Sequence, residues 1–244
     1  TLKERTITYL PIKDIGTLRV YHALHYLILT SSLHSRTFFV DEPMNAAIGL
    51  CDGSTCTELE EYCSHSMLDG LSFKAVDGDG NIVGLMVSGV CPLKEDDNGN
   101  DLASQAERCE NPKFQKILYV LAQREAGAKL AEKFPDDKTL VDVKVAATDP
   151  GWRRRGIMNA LLKETETATE NLKIRLLRMD TSSAYSAMSA EHLGFSCVYS
   201  AKYTDIKKDG EPLIVPAAPH TEDRVYIKKL TLMSVAMLTH NFIY

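Results

Sequence analysis

The chain has 244 residues, of which 44% are hydrophobic and 25% are charged, and its formal net charge at pH 7 is −5. This composition is ordinary for a globular protein that buries a sizeable core. The acidic balance argues against nucleic acid or an anionic membrane surface as a partner, so an anionic ligand needs a local cationic site. We expect a single domain over residues 1–244 and a monomeric protein.

The six cysteines occur singly, without a Cys-x-x-Cys pair or a histidine at zinc-ligand spacing. We therefore expect no metal site, and we expect buried structural thiols in a reduced, cytoplasmic protein. Two apolar segments, residues 18–33 and 230–244, fall short of the roughly 20 residues that a membrane span needs, so no membrane association is expected. The first is predicted to be a buried helix, and the second has no assignment.

In the first half of the chain, the hydrophobic pattern and the turn residues predict short helices and a hairpin. The predicted elements are a strand over residues 5–11, a helix ending near residue 33, a helix over residues 55–66, and strands over residues 71–77 and 82–90. The polar turn at residues 77–81 favours a hairpin between the two strands, because Gly and Asn tolerate positive φ. The acidic stretch 94–100 is expected to be a solvated loop.

A longer helix is predicted next, because Asn111 followed by Pro112 has the form of a helix cap and a first helical residue. Apolar residues then recur on one face and extend this helix to about Phe134. The later elements are a strand over residues 139–147, a helix after Gly156, a strand over residues 174–180, a helix over residues 183–192, and a strand over residues 195–203. This alternation predicts an α/β (α+β) fold with a mixed central sheet flanked by helices.

The strand, turn and helix at residues 141–162 form a candidate anion site. Arg153, Arg154, Arg155 and Gly156 precede the helix, whose first N–H groups lack intrahelical acceptors. Charge-assisted hydrogen bonds from the arginines, and a backbone without a Cβ at Gly156, favour a phosphate ligand. Taken alone, the pattern is more typical of a solvent-exposed basic turn that caps a helix.

The turn and the elements around it resemble the motifs of a known family. The string RRRGIM, ending at Met158, resembles motif A of the GCN5-related N-acetyltransferases, R/Q-x-x-G-x-G/A, although Met158 replaces the usual small residue. The string EHLGF, ending at Phe195, resembles the end of the family's motif B. Four further strings are similar to the insect-type arylalkylamine N-acetyltransferases over about residues 36–228: FFVDEPMN from Phe38, CENPKF from Cys109, SSAYS from Ser182 and PAAPH from Pro216.

The resemblance implies the acyl-CoA N-acyltransferase fold and acetyl-CoA as co-substrate, with no metal. In the family, backbone amides of motif A bind the CoA pyrophosphate, and the preceding strand pairs with the pantetheine arm and polarises the thioester carbonyl. The residues that match these positions are Val143, Val145, Ala146, Ala147, Arg153, Arg154, Arg155, Gly156, Ile157 and Met158.

Amide formation needs a proton acceptor because a primary amine is mostly protonated near neutral pH, and the oxyanion and departing thiolate need donors. The resemblance assigns Glu42 as the general base; Asp41 is its rival on chemistry alone, and a surface turn is the plain alternative for both. It gives Ser182 and Ser186 a part in catalysis, through a water network or by protonating CoA. Ser182 is otherwise read as a helix N-cap, and Tyr185 is an alternative acid.

The resemblance also places Pro43 in the amine pocket and gives His220 a role in binding or orienting the amine. Phe38, Phe39 and Met44 are candidates to pack on an aromatic amine, although such residues more often lie in a core.

The expected activity is direct acetyl transfer, in a ternary complex, to dopamine, serotonin, tryptamine, tyramine or a similar amine. Three alternatives stay open. One keeps the fold but takes agmatine or polyamines, or uses longer acyl-CoA donors; another is an acyl-CoA-binding module without turnover. A nucleic-acid-binding domain that uses Arg153–Arg155 conflicts with the net charge.

Overall fold

The computed structural model describes residues 8–11, 40, 42–51, 56–64, 70–94 and 101–232. Its strands are β1 (Thr8–Pro11), β2 (Phe73–Val76), β3 (Ile82–Pro92), β4 (Thr139–Thr148), β5 (Leu176–Thr181), β6 (Ser196–Lys202), β7 (Lys207–Lys208), β8 (Glu211–Pro212) and β9 (Glu222–Lys229). Its helices are α1 (Pro43–Ile48), α2 (Thr57–Ser64), α3 (Leu102–Arg108), α4 (Pro112–Ala128), α5 (Leu130–Lys133), α6 (Ile157–Asn171) and α7 (Ala184–His192). Two 3₁₀ turns cover Pro150–Trp152 and Tyr203–Asp205.

Seven strands form one sheet in the order β1-β2-β3-β4-β5-β9-β6, and β7 pairs with β8 separately. Neighbouring strands in the large sheet are antiparallel except β4 and β5, which are parallel. The crossover between β4 and β5 is α6, and a parallel pair needs a crossover of this kind. The predicted mixed sheet flanked by helices is confirmed.

Helices cover both faces of the sheet. On one face, here called the α4 face, α1 to α4 pack on Leu85, Val87 and Val145. On the other, the α6 face, Ile157, Leu161 and Leu162 of α6 and two alanines of α7 pack on the sheet. The sheet residues of the α6 face include Val83, Met86, Val141, Val143, Leu177, Met179 and Tyr226.

Local signals placed several elements correctly. The turn at residues 77–81 joins β2 and β3 as predicted, and Asp77 Oδ1 accepts hydrogen bonds from the N–H groups of Asp79 and Asn81 at 3.0 and 2.9 Å. Asn111 caps α4, since its Oδ1 accepts from the N–H groups of Lys113 and Phe114.

The helix predicted from Asn111 to about Phe134 is in fact two helices. Lys129 has a left-handed backbone, with φ of 49°, and it separates α4 from α5. A non-glycine residue in this region is uncommon, so the sequence carries no local signal for the break.

Five elements were not predicted, namely α1, α3, β7, β8 and β9. Asp101 caps α3 by accepting from the N–H of Ser104 at 3.0 Å. Strand β9 lies between β5 and β6, so it completes the sheet from the end of the described chain. The helix predicted to end near residue 33 lies outside the described residues, as does almost all of the apolar segment 230–244.

The six cysteines form no disulfide with one another in the described part of the chain, and their burial differs. Cys51, Cys56 and Cys63 are buried in the α4-face core, as predicted, but Cys197 is exposed and the expectation of burial is wrong for it. Over the described residues, no group of histidine, cysteine and carboxylate side chains could hold a metal ion. None of the described helices is long and apolar enough to cross a membrane.

Candidate active site

The sheet opens between β4 and β5. These parallel strands pair from Val141 with Leu177 to Val143 with Met179, and the pairing stops there although both strands continue. Beyond that point β4 still pairs with β3 as far as Thr148, and β5 still pairs with β9 as far as Thr181. The carboxyl ends of two parallel strands therefore diverge, which is the usual position of a ligand site in a sheet with parallel strands.

A bulge lies on β4 at the start of this opening. Val87 of β3 faces Val145, but the next residue, Ser88, faces Val143, so Lys144 is the extra residue. Val143 packs on the α6 face and Val145 on the α4 face, and both are buried. Ala146 and Ala147 are half-buried. Such bulges are frequent beside active sites because they redirect side chains and end regular pairing.

The N-terminus of α6 follows the opening. Gly156 occupies the cap position with φ of 77°, so it supplies no capping side chain to the first N–H groups of the helix. A Cβ at Gly156 would meet nothing within 4 Å, so the glycine is required here by its backbone angle rather than by space. The free N–H groups and the helix dipole make this end of α6 suited to an anion.

The three predicted arginines are all exposed. The Arg153 Nε–H donates to the carbonyl of Thr148 at 3.4 Å, and the Arg155 guanidinium lies 4.8 Å from the centre of the Trp152 ring. Arg154 has a left-handed backbone, with φ of 64°. After them, Ile157 is buried in the α6-face core and Met158 is half-buried against it.

The N-terminus of α7 lies directly after β5. Ser183 is its N-cap: Ser183 Oγ accepts from the N–H of Ser186 at 3.0 Å. The alternative that made Ser182 the cap is therefore wrong by one residue. The Ser186 hydroxyl lies 2.9 Å from Ser183 Oγ and donates to the Ser183 carbonyl at 3.0 Å, so Ser186 is bonded to Ser183.

His220 reaches the same helix end from a distant segment. Its Nδ1 accepts from the N–H of Ala184 at 3.2 Å, and its ring stands edge to face against Tyr185 with centroids 5.5 Å apart. The resemblance assigned Ser182, Ser186 and His220 to one site, and the structure brings all three residues to the N-terminal end of α7.

Glu42 is the N-cap of α1, and Pro43 is the first residue of that helix. One carboxylate oxygen, Oε2, accepts from the N–H of Asn45 at 2.7 Å. The other, Oε1, is buried and has no hydrogen-bond partner within the described part of the chain. Met44 is buried in the α4-face core, which favours the core role over contact with an amine. Phe38, Phe39 and Asp41 lie outside the described residues.

A buried ion network lies on the α4 face. Arg124 of α4 donates from Nε and Nη2 to both carboxylate oxygens of Asp223, at 2.8 and 2.5 Å, and from Nη1 to Asp180 at 3.0 Å. Arg178 donates to both oxygens of Asp180, at 2.8 and 2.9 Å, and to Glu125 at 2.6 Å. Asp180 is the last residue but one of β5, so the network holds the end of the strand that leads into α7.

Charge and burial compete in this network. Burial acts against the charged form of Asp180, but Arg178 and Arg124 outweigh it and hold the pKa of Asp180 below its ordinary value. Asp142, on β4, has the opposite outcome: burial raises its pKa, and Arg178 and Lys144 offset this only in part. The two carboxyl groups therefore differ in proton affinity although they share the positive charge of Arg178.

Two residues of this region were not found from the sequence. Ser183, rather than Ser182, caps α7. Tyr203, which is 1% exposed, donates from its hydroxyl to the Ser182 carbonyl at 3.0 Å. An aromatic residue at the end of a predicted strand gives no local signal that it reaches a segment 21 residues away.

No family model matches the sequence. The mixed sheet, opened between two parallel strands beside an arginine-rich helix N-terminus, is the fold of the GCN5-related N-acetyltransferases. This fold is shared with a crystal structure of arylalkylamine N-acetyltransferase 2 from Aedes aegypti, with a TM-score of 0.80 and 22% sequence identity over 93% of this chain and 100% of that one.

Two further solved structures agree. A Drosophila melanogaster polyamine N-acetyltransferase that catalyses the formation of N-acetylagmatine has a TM-score of 0.78 and 20% identity, over 92% of this chain and 100% of that one. The structure of the mosquito protein called arylalkylamine N-acetyltransferase like 5b has a TM-score of 0.77 and 20% identity, over 92% of this chain and 100% of that one. The predicted resemblance to insect arylalkylamine N-acetyltransferases is thus confirmed at the level of the fold.

Proposed function

We propose that this protein is an N-acetyltransferase that transfers acetyl from acetyl-CoA to the primary amine of an arylalkylamine such as dopamine, serotonin, tryptamine or tyramine. The observation that carries the proposal is the state of Glu42. One of its oxygens is fixed by the N–H of Asn45 at 2.7 Å, while the other is buried and unbonded among the described residues. A carboxylate held in this way has one oxygen available to accept a proton.

In the proposed reaction, Glu42 accepts a proton from the ammonium form of the amine, directly or through water. The neutral amine then attacks the thioester carbonyl carbon, and the C–N bond forms as the carbonyl oxygen becomes an oxyanion. A backbone N–H of β4, at Val145 or Ala146, would donate to that oxygen. Collapse of the intermediate breaks the C–S bond. The nitrogen loses its second proton, which passes through water or a serine hydroxyl to the thiolate of CoA, so that the amide, CoA thiol and protonated Glu42 remain.

The serine hydroxyls at the start of α7 would assist the last step. Ser186 is bonded to Ser183, so its hydroxyl must rotate away from the Ser183 carbonyl before it can donate to a thiolate. Ser182 is the other candidate. The CoA pyrophosphate would lie at the N-terminus of α6, where free N–H groups and exposed Arg153, Arg154 and Arg155 supply positive charge.

The choice of an aromatic amine rests on the four strings shared with the arylalkylamine enzymes and on the Aedes aegypti structure. The Drosophila melanogaster structure supports the second candidate, agmatine or a polyamine, on the same fold. An acyl-CoA-binding module without turnover is the third. Replacement of Glu42 distinguishes the binding module from the two enzymes, because only an enzyme needs a base.

The test is CoA-thiol release from acetyl-CoA with dopamine, serotonin, tryptamine, tyramine, agmatine and spermidine, for wild type, Glu42→Gln and Asp101→Asn. Glutamine keeps an oxygen to cap α1 but cannot accept a proton at neutral pH, so kcat should fall about 10²–10³-fold. Asp101 caps α3 in the same way as Glu42 caps α1, so Asp101→Asn controls for the loss of a capping charge and should leave kcat unchanged.

Each outcome has a definite meaning. Turnover on the aromatic amines that is lost in Glu42→Gln supports both the substrate class and the base. Turnover on agmatine or spermidine alone would replace the substrate class and keep the mechanism. Binding of acetyl-CoA with no turnover on any amine would overturn the proposal in favour of the binding module.

A further inference from the structure

Tyr203 contacts two separate segments of the candidate active site. Its hydroxyl donates to the carbonyl of Ser182 at 3.0 Å, and its backbone N–H donates to the carbonyl of Thr221 at 3.1 Å. Ser182 leads from β5 into α7, and Thr221 leads from His220 into β9. One buried residue is thus bonded to both segments.

The same two segments also bond to each other. His220 Nδ1 accepts from the N–H of Ala184, two residues after Ser182. Tyr203, the Ser182–Ala184 segment and the His220–Thr221 segment therefore form a closed ring of three hydrogen bonds, here called the α7 ring. Because the three hydrogen bonds form one ring, the loss of any one of them changes the geometry that the other two maintain. Substitutions that remove two of these bonds should therefore not have additive effects.

The surroundings of Tyr203 keep its hydroxyl a donor. The residue is 1% exposed and belongs to the α4-face core with Met44 and Val145. Burial raises the pKa of Tyr203 well above its ordinary value, and the charges of Asp223 and Glu42 add to this. The raised pKa agrees with the geometry, in which the protonated hydroxyl donates to the Ser182 carbonyl.

We infer that Tyr203 is a positioning residue for acetyl transfer: its hydroxyl fixes the Ser182 carbonyl and so sets the N-terminus of α7 relative to His220. The inference rests on the proposed function. Tyr203 acts through Ser182 and His220 rather than on the reacting atoms. Its loss should therefore change amine turnover while acetyl-CoA binding at α6 is retained.

The first test compares Tyr203→Phe with Tyr226→Phe. Both tyrosines are buried, and each donates one hydrogen bond, from Tyr226 to Glu191 at 2.8 Å on the α6 face. Each change removes one hydroxyl from a buried ring, so thermal unfolding should shift similarly. For the amine, kcat/KM should fall about tenfold in Tyr203→Phe, the kinetic equivalent of one hydrogen bond, with KM for acetyl-CoA unchanged. Tyr226→Phe should stay within about twofold of wild type.

The second test places Tyr203→Phe in two His220 backgrounds. His220→Ala removes the acceptor for the Ala184 N–H, so the α7 ring is already open and Tyr203→Phe should then cost less than about twofold. His220→Asn offers Oδ1 near the position of Nδ1, and the tenfold cost should return. A residue that only supports the core would give the same factor in every background.

These outcomes separate the inference from the function on which it rests. If wild type turns over amines but Tyr203→Phe and Tyr226→Phe have equal effects, or the cost is the same in all backgrounds, the positioning role is overturned and the function stands. If wild type turns over none of the six amines, both are overturned. Should Tyr203→Phe fail to fold, His220→Asn must still retain more activity than His220→Ala, and equal loss would count against the ring.

Discussion

On the α4 face of the sheet, Arg124 reaches from its helix to Asp223 and Asp180 with three hydrogen bonds, whereas on the α6 face Leu161 and Ile157 pack on the sheet by apolar contact. The candidate base and Tyr203 belong to the α4 face. Charged hydrogen bonds have a preferred direction and apolar contacts do not. The hydrogen bonds of the α4 face therefore restrict the positions of Asp180 in β5 and Asp223 in β9 more tightly than apolar contacts would. The network of the α4 face thus orders the strand that leads into α7, whereas α6 and α7 themselves pack on the other face.

The largest effect should come from breaking the Arg124 pair. Asp223→Ala leaves a buried guanidinium, 5% exposed, without its bidentate partner and should lower the free energy of unfolding by about 3–5 kcal/mol. Denaturant unfolding measures this. The matched control is the double variant Arg124→Met with Asp223→Leu, which removes both charges and should recover much of the loss. A loss below about 1 kcal/mol in Asp223→Ala would mean that this network does not hold α4 to the sheet.

On the α6 face, a comparable change should cost less. Leu161 is fully buried, and Leu161→Ala should lower the free energy of unfolding by about 3 kcal/mol through lost burial and a cavity. This loss should not depend on pH between 5 and 8, because the contacts removed are those of an apolar side chain within the α6-face core. Lys163→Ala, an exposed position on the same helix, should change stability by less than about 0.5 kcal/mol. If Leu161→Ala lowered the free energy of unfolding by more than Asp223→Ala does, the α6 face rather than the α4 face would contribute the larger effect.

The smallest effect concerns Asp142, and it depends on pH. Burial raises the pKa of Asp142 above its ordinary value of 3.8, so the folded state holds this proton more tightly than the unfolded chain does. Its ionisation therefore lowers stability as pH rises above 3.8, and the full loss is present above the folded pKa. Asp142→Asn cannot ionise, so its stability relative to wild type should be greater at pH 7 than at pH 4, by up to about 1 kcal/mol.

Unfolding of both proteins at pH 4, 5.5 and 7 measures this difference. A relative stability that is the same at all three pH values, or one that falls as pH rises, would contradict the raised pKa. Asp180→Asn should behave in the opposite way, because Arg178 and Arg124 lower the pKa of Asp180 and its charge stabilises the folded state at neutral pH.

Features with a local cause were predictable from the sequence. The position of Gly156 before α6, and Asn111 as the cap of α4, depend on neighbouring residues only, and both were found, although the positive φ of Gly156 was not predicted. The pairing of Arg124 with Asp223 joins residues 99 apart, and β9 takes its place between β5 and β6 only once the sheet is assembled. Neither leaves a pattern within a short window of sequence.

The residues of the candidate site also fall into those that were predicted from the sequence and those that depend on distant contacts. The arginines and glycine before α6 could be read from their order, and Glu42, Ser182, Ser186 and His220 were reached by resemblance. Tyr203 was missed because what distinguishes it is a contact with the Ser182 backbone, which any residue type at position 182 would offer. The break at Lys129 was missed because lysine has no preference for the left-handed region.

The hydrogen bond from Ala184 to His220 settles which chemical form the imidazole takes. Because Nδ1 accepts, the neutral ring must carry its hydrogen on Nε2. In the proposed reaction, His220 could therefore donate a hydrogen bond from Nε2 to the substrate while its Nδ1 is occupied by the Ala184 N–H, which supports the proposal that Glu42 is the base.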